Sequence, residues 1–293
     1  SGGTRKVVVE PVHILSPAEL NLSVEFAGPW LQEYRPATEK ALSSMIKELG
    51  LEDLAAPRIL IQDDSSTAHS ADILSNYALD TGAELILVGT HGRSGVRRLL
   101  LGSFAETLLT RSRVPVMVVG PHMRRVCDFE NVIFPTEFGD SCKAMFRRVV
   151  ALAKDYDSKV TIYHAVPRPV EPVYQSGVYL IGSPWIPVND YYRNEVERQK
   201  HHAEKWVSWA RNQGVRAEFV LDRETLNVPD SIVKLAHARN AGWIAMAAQS
   251  GPIAAALLGS VTRKVIRQAD CPVWVLKRPK SARAARTFDK KAA

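Results

Sequence analysis

Residues 86–120 run ILVGTHGRSGVRRLLLGSFAETLLTRSRVPVMVVG, and residues 244–276 run IAMAAQSGPIAAALLGSVTRKVIRQADCPVWVL. In the first stretch two β-type apolar runs enclose a loop, with Gly89, Gly92 and Gly95 at one end and Gly102-Ser103 at the other. The second stretch repeats that frame. Gly259-Ser260 answers Gly102-Ser103, and Cys271-Pro272-Val273 answers Val114-Pro115-Val116, both at an offset of 157 residues. Upstream, ADILSNYALDTGAELILVG pairs with DSIVKLAHARNAGWIAMAA, with Ile73 matching Ile232 at 159. The chain uses one unit twice.

Each unit alternates two periodicities. VTIYHAV (160–166), AEFVL (217–221), WIAMA (243–247) and PVWVL (272–276) are short β-type runs. Between them DSCKAMFRRVVALAKDY, RNEVERQKHHAEKWVSWARNQG and DSIVKLAHARNAG space their apolar residues as helices do. Alternating strands and helices predict βαβ crossovers and a largely parallel sheet, an α/β fold. The first copy opens with KVVVEPVHIL (6–15), which aligns with KVTIYHAVPR (159–168), the second strand of the later copy. Nothing ahead of it corresponds to 131–155, so the first copy is expected to lack its first strand and helix. The expected domains are 1–122, nucleotide-binding in type, and 128–279, with a basic tail at 280–293. The Pro-, Tyr- and Gly-rich segment 168–192 reads either as a lid or partner surface or as a loop packed on its own domain.

Composition narrows the class. The 293 residues suffice for two domains, with 46% apolar and 24% charged residues. No apolar run reaches the roughly 20 residues that span a bilayer, so no membrane partner is expected. SGGTRKVVVE does not read as a signal peptide. Cys127, Cys142 and Cys271 have no paired metal spacing, which points to a reducing compartment and a cytoplasmic location. Part of the net charge of +7 lies in the tail, whose single aromatic, Phe288, offers no stacking platform; nucleic acid is not the expected partner.

The glycine loop fails three familiar templates. It lacks the glycine spacing of a dinucleotide fingerprint, the Gly-Lys-Ser/Thr of a P-loop and the G-x-S-x-G of a hydrolase elbow. Its chemistry still suits phosphate. Gly89 and Gly92 follow a buried-type strand, where backbone amides can approach a ligand. Gly102-Ser103 opens a helical pattern whose first amides lack partners, and Arg93, Arg97 and Arg98 add positive charge. A tight turn with Ser103 as a simple cap would use the same residues.

The register Gly89-x-x-Gly92, nine residues, Gly102-Ser103, set between LILVGTHG and VPVMVV, resembles the nucleotide-binding signature of the universal stress proteins, in their tandem-domain form. The resemblance implies two tandem Rossmann-like domains, each a mainly parallel five-stranded sheet flanked by helices. It also implies that the last strands, PVMVV and PVWVL, meet across a domain or dimer interface, which is the expected route of self-association. Carried over by position, the nucleotide-binding residues are Gly89, Thr90, His91, Gly92, Arg93, Gly102, Ser103 and the Phe104 amide. The implied partner is an adenine nucleotide, ATP with Mg²⁺ as an optional companion ion. The family's aspartate at the end of its first strand is answered by Glu137 in the second copy only. In that copy MAAQSGPIAAALLGS replaces the phosphate glycines by side chains and Pro252, so the second domain is expected to be nucleotide-free, scaffolding or dimerising.

Other candidates yield less. His91 beside Ser94 has no orienting carboxylate. His201 and His202 lack the i, i+4 spacing of a helical metal site. Asp63-Asp64 serve either magnesium or a turn, and Trp206 and Trp209 read as core anchors. Nothing resembles a catalytic base, so the nucleotide is expected as a regulatory ligand with at most slow hydrolysis. The alternative is a nucleotide-free interaction module of the same fold.

Overall fold

The computed structural model describes residues 7–20, 24–51, 53–90, 101–123, 128–166, 188–247 and 258–276. The chain forms two compact units, Ser1–Ala83 and Glu84–Ala293.

In the first unit, strand β1 (Val12–Leu15) is followed by a 3-10 turn (Pro17–Leu20), helix α1 (Val24–Glu48), strand β2 (Arg58–Ile61) and helix α2 (Thr67–Asp80). The strands pair in parallel, His13 beside Ile59 and Leu15 beside Ile61. A parallel pair needs a crossover helix, and α1 supplies it. The core of this unit is small: Leu15, Leu31 and Ile59, with Leu20, Leu42 and Ile61 packed around them. Tyr77 on α2 ties in the strands, donating its hydroxyl to Glu10 and accepting from Arg58 Nε at 3.2 Å.

The second unit begins with β3 (Ile86–Gly89), α3 (Ser103–Arg111) and β4 (Val116–Val119). It continues with β5 (Asn131–Pro135), α4 (Asp140–Asp155), β6 (Lys159–Ala165), α5 (Val188–Asn212), β7 (Ala217–Asp222), α6 (Val228–Ala238), β8 (Trp243–Ala247), α7 (Ser260–Gln268) and β9 (Val273–Leu276). Its sheet has seven strands in the order β3-β4-β9-β8-β5-β6-β7. The five strands β7-β6-β5-β8-β9 run parallel, as expected of the second copy. Helices cover both faces of such a sheet, so its central strands are apolar on both sides; Val132, Ile133 and Phe134 of β5 are fully buried. Phe146, Val149 and Val150 of α4 and Val207 and Ala210 of α5 close the core, with Trp206 and Trp209 packed against it as anchors.

The first copy, expected to lack its first strand and helix, does not form one sheet among the described residues. It contributes two separate parallel pairs, β1-β2 and β3-β4. The second copy shows why: there β5, its first strand, is hydrogen-bonded to both β6 and β8. Among the described residues the first copy has no counterpart of β5, so β1 and β3 have no strand between them and their pairs belong to different sheets. Among the described residues no strand pairs with the second edge of β3. Leu87 is 61% exposed, whereas Ala245, its counterpart on β8 by strand register, is 0% exposed.

The last strands do meet. β4 and β9 pair antiparallel within the chain, Met117 opposite Trp274, with Val116 opposite Val275 and Val118 opposite Val273. Each then has neighbours on both sides, β3 and β9 for β4, β4 and β8 for β9. The association expected of these strands is thus made between the two copies of one chain.

Candidate functional site

The glycine loop leaves from the carboxyl end of β3 and returns at the amino end of α3. Gly89 is the last residue of β3, beside Val119. Thr90 is buried and donates its amide to the Val119 carbonyl at 3.1 Å. The Thr90 carbonyl in turn accepts the Gly102 amide at 2.9 Å, which fastens the two ends of the loop to each other. A Cβ on Gly102 would lie 2.6 Å from that carbonyl oxygen, so only glycine permits this approach.

Gly102 caps α3, and the first intrahelical bond runs from the Glu106 amide to its carbonyl at 3.0 Å. The amides of Ser103, Phe104 and Ala105 precede that bond, so they are the free donors of the helix start. Ser103 is exposed and Phe104 half-exposed. The structure therefore brings Gly89, Thr90, Gly102, Ser103 and Phe104 to one strand-end mouth. His91, Gly92 and Arg93 lie outside the described residues, as do Ser94, Arg97 and Arg98. Free amides and a helix dipole at the carboxyl end of a parallel strand make a mouth suited to an anionic group.

The second copy closes its mouth differently. Ala247, the counterpart of Gly89 by strand register, is joined to the helix by the Thr262 hydroxyl, which donates to the Ala247 carbonyl at 3.2 Å. Thr262 stands where the first copy has Ala105, and it is buried. A side chain of the first helical turn thus engages the last carbonyl of the strand, one residue ahead of the position whose carbonyl takes the Gly102 amide in the first copy. Residues 248–257 lie outside the described set.

Glu137 is exposed beyond β5. Its neighbour Phe138 has φ 56°, an uncommon backbone for a non-glycine residue, with its amide bonded to Thr136 Oγ1 at 3.0 Å. The Phe138 ring packs on His164 (5.0 Å between centroids), His202 (6.0 Å) and Trp206 (5.3 Å). His164 donates Nδ1–H to the Thr136 carbonyl at 2.6 Å. Burial pulls its pKa below the ordinary histidine value, opposed by that bond and by Glu137 and Glu195. Sequence reading missed this aromatic cluster, because the positive φ of Phe138 has no residue-type signal.

Asp64 serves as a turn and cap group before α2. It accepts the Ser66 amide at 2.9 Å and is bonded to Gln62 Nε2 at 2.5 Å and His69 Nδ1 at 3.0 Å. These bonds, the Ser66 amide foremost, hold its carboxyl below the usual range. Asp63, Asp64 and His69 are close enough together to offer ligands to a cation. Cys142 and Cys271 are buried and not joined in a disulfide, and Cys127 lies outside the described residues. No described helix is long and apolar enough to cross a membrane.

These features define a tandem α/β protein with one glycine-hinged strand-to-helix mouth and one threonine-closed counterpart. The universal stress protein family matches residues 4–120 and 128–277, and the chain belongs to that family. A universal stress protein of Methanocaldococcus jannaschii is 32% identical over 85 residues, 27% of this chain and 50% of that protein. A second from the same organism is 29% identical over 107 residues, 36% of this chain and 63% of that protein. The chain thus spans about half to two thirds of the length of these relatives. The crystal structure of a universal stress protein from Archaeoglobus fulgidus superposes with a TM-score of 0.60 at 17% identity, covering 93% of this chain and 86% of that one. That likeness establishes the fold.

Proposed function

We propose that the first copy binds an adenine nucleotide, ATP in the first instance, as a regulatory ligand. The observation that carries the reading is the Thr90–Gly102 closure, which holds the free amides of Ser103 and Phe104 beside the end of β3. Phosphate oxygens would sit against Gly89, Thr90, Gly102, Ser103 and Phe104, and the loop residues His91, Gly92 and Arg93 complete the set by position. Mg²⁺ would accompany the phosphates as a counter-ion. The second copy acts as scaffold, since Thr262 already engages its strand end. The buried cysteines Cys142 and Cys271, not joined in a disulfide, support a reducing, cytoplasmic setting.

A second reading is a nucleotide-free interaction module. It is favoured by Gly102 itself, whose missing side chain is fully accounted for by the contact with Thr90. Calorimetric titration with ATP separates the two. Ser103→Glu is the informative variant, because an acid in the first helical turn suits the helix dipole while repelling phosphate. Binding by the wild type, weakened at least about tenfold in Ser103→Glu, supports the nucleotide reading. Absence of binding leaves the interaction module, and equal binding by both proteins removes the nucleotide from this mouth.

A further inference from the structure

The antiparallel seam between the two copies has an unusual correspondence. Met117 and Trp274 are equivalent positions of the repeat, separated by the same 157 residues as the glycine-serine pairs, and they face each other across β4 and β9. Glu106 and Arg263 are separated by 157 as well. They are the fourth residues of α3 and α7, and Arg263 NH2 lies 2.6 Å from Glu106 Oε1. When equivalent residues of two copies touch, they lie on the local two-fold axis that relates the copies. On such an axis a like-with-like assembly must place each residue against itself.

At both axial positions this chain carries unlike residues. Two first copies brought together would set Glu106 against Glu106, and two second copies would set Arg263 against Arg263. Like charges at such a point oppose association, and the observed acid–base pair favours it. The strand pair has the same asymmetry in size. Met117 and Trp274 are both nearly buried, and Trp274 is braced by Trp243 at 5.3 Å. Two methionines there would underfill the seam, and two tryptophans would overfill it.

We propose that these two unlike pairs are specificity determinants: they commit the first copy to the second copy of its own chain and reject like-with-like pairing with another chain. The device combines attraction in the wanted pair with repulsion in both unwanted ones. The ion pair is about one-third exposed at each partner, so its discrimination weakens as salt rises. Nucleotide binding plays no part in it.

The test uses the full chain as Glu106→Arg, Arg263→Glu and the double exchange. Each single variant puts like charges on the axis and lowers the melting temperature, and the double exchange recovers most of that loss. Glu106→Arg and Arg263→Glu chains, separately tagged and produced together, can also restore two acid–base pairs by exchanging copies. They should co-purify about tenfold more than two tagged wild-type chains, with the gain lost near 1 M salt. A double exchange that melts no higher than the worse single variant overturns the proposal. So does co-purification of the complementary singles no greater than that of wild type.

Discussion

The carbonyl of Thr90 takes the amide of Gly102 at 2.9 Å, at a distance that leaves no room for a β-carbon. Gly102→Ala would place its methyl group 2.6 Å from that oxygen, backbone against backbone, with no flexible side chain to yield. We expect a loss of about 1–3 kcal/mol, the range for forced overpacking, measured by urea unfolding. Gly28→Ala is the control. Its β-carbon meets nothing within 4 Å on helix α1, and the substitution should be neutral or stabilising by up to about 1 kcal/mol.

Gly242→Ala should be worse than Gly102→Ala. The added carbon would fall 1.6 Å from the Asp128 carbonyl, between the start of β8 and the chain entering β5. Register would have to shift in the central strands of the larger sheet. A midpoint no lower than that of Gly102→Ala would contradict this ranking.

Thr262→Val keeps the shape of a buried side chain and removes the hydroxyl that caps the Ala247 carbonyl. The cost should be about 1–2 kcal/mol, the usual penalty for a lost hydrogen bond with a half-buried acceptor left behind. In the first copy Ala105→Thr, at the matching place, tests whether the same closure can be installed. If ATP binds the first mouth, that variant should weaken titration with ATP.

His164 makes stability depend on pH. Its pKa is lowered in the folded protein by burial, so unfolding takes up a proton once the pH drops below the ordinary value near 6.5. Stability from this group is complete above that value and falls as the solution is acidified, with a slope no steeper than about 1.4 kcal/mol per pH unit. Glu137, Glu195 and His202 face the same ring and stay in place in His164→Gln. Unfolding free energies between pH 7.5 and 5.5 should therefore decline less in that variant than in wild type.

The exposure of Leu87 on β3 predicts unequal tolerance at two matched positions. Leu87→Lys, on the exposed strand, should change stability by no more than about 0.5 kcal/mol. Ala245→Lys, at its fully buried counterpart, should prevent stable folding. Parallel thermal melts decide the matter.

Much of this was legible in the residues. The repeat, the parallel strands of the second copy and the glycine-serine start of α3 all follow from spacing and periodicity, which sequence carries directly. That KVVVEPVHIL aligns with the second strand of the later copy was legible too. The split of β1-β2 from β3-β4 among the described residues was not, because sheet membership is set by backbone hydrogen bonds that residue types do not specify. The Thr90–Gly102 contact is between backbone atoms, to which residue identity gives no access. Glu106 and Arg263 stood at matching places in the aligned copies, but only the antiparallel pairing of β4 with β9 turns that match into a contact.

The same seam sets an order of events during synthesis. β3 and β4 emerge from the ribosome before any part of the second copy, yet a two-stranded ribbon is marginal in water on its own. Its permanent neighbour, β9, is the last strand of the sheet to be made. The segment translated early must therefore wait through more than half the chain before its place exists. One late strand thus serves both copies, as the fifth parallel strand of the second and the antiparallel neighbour of the first.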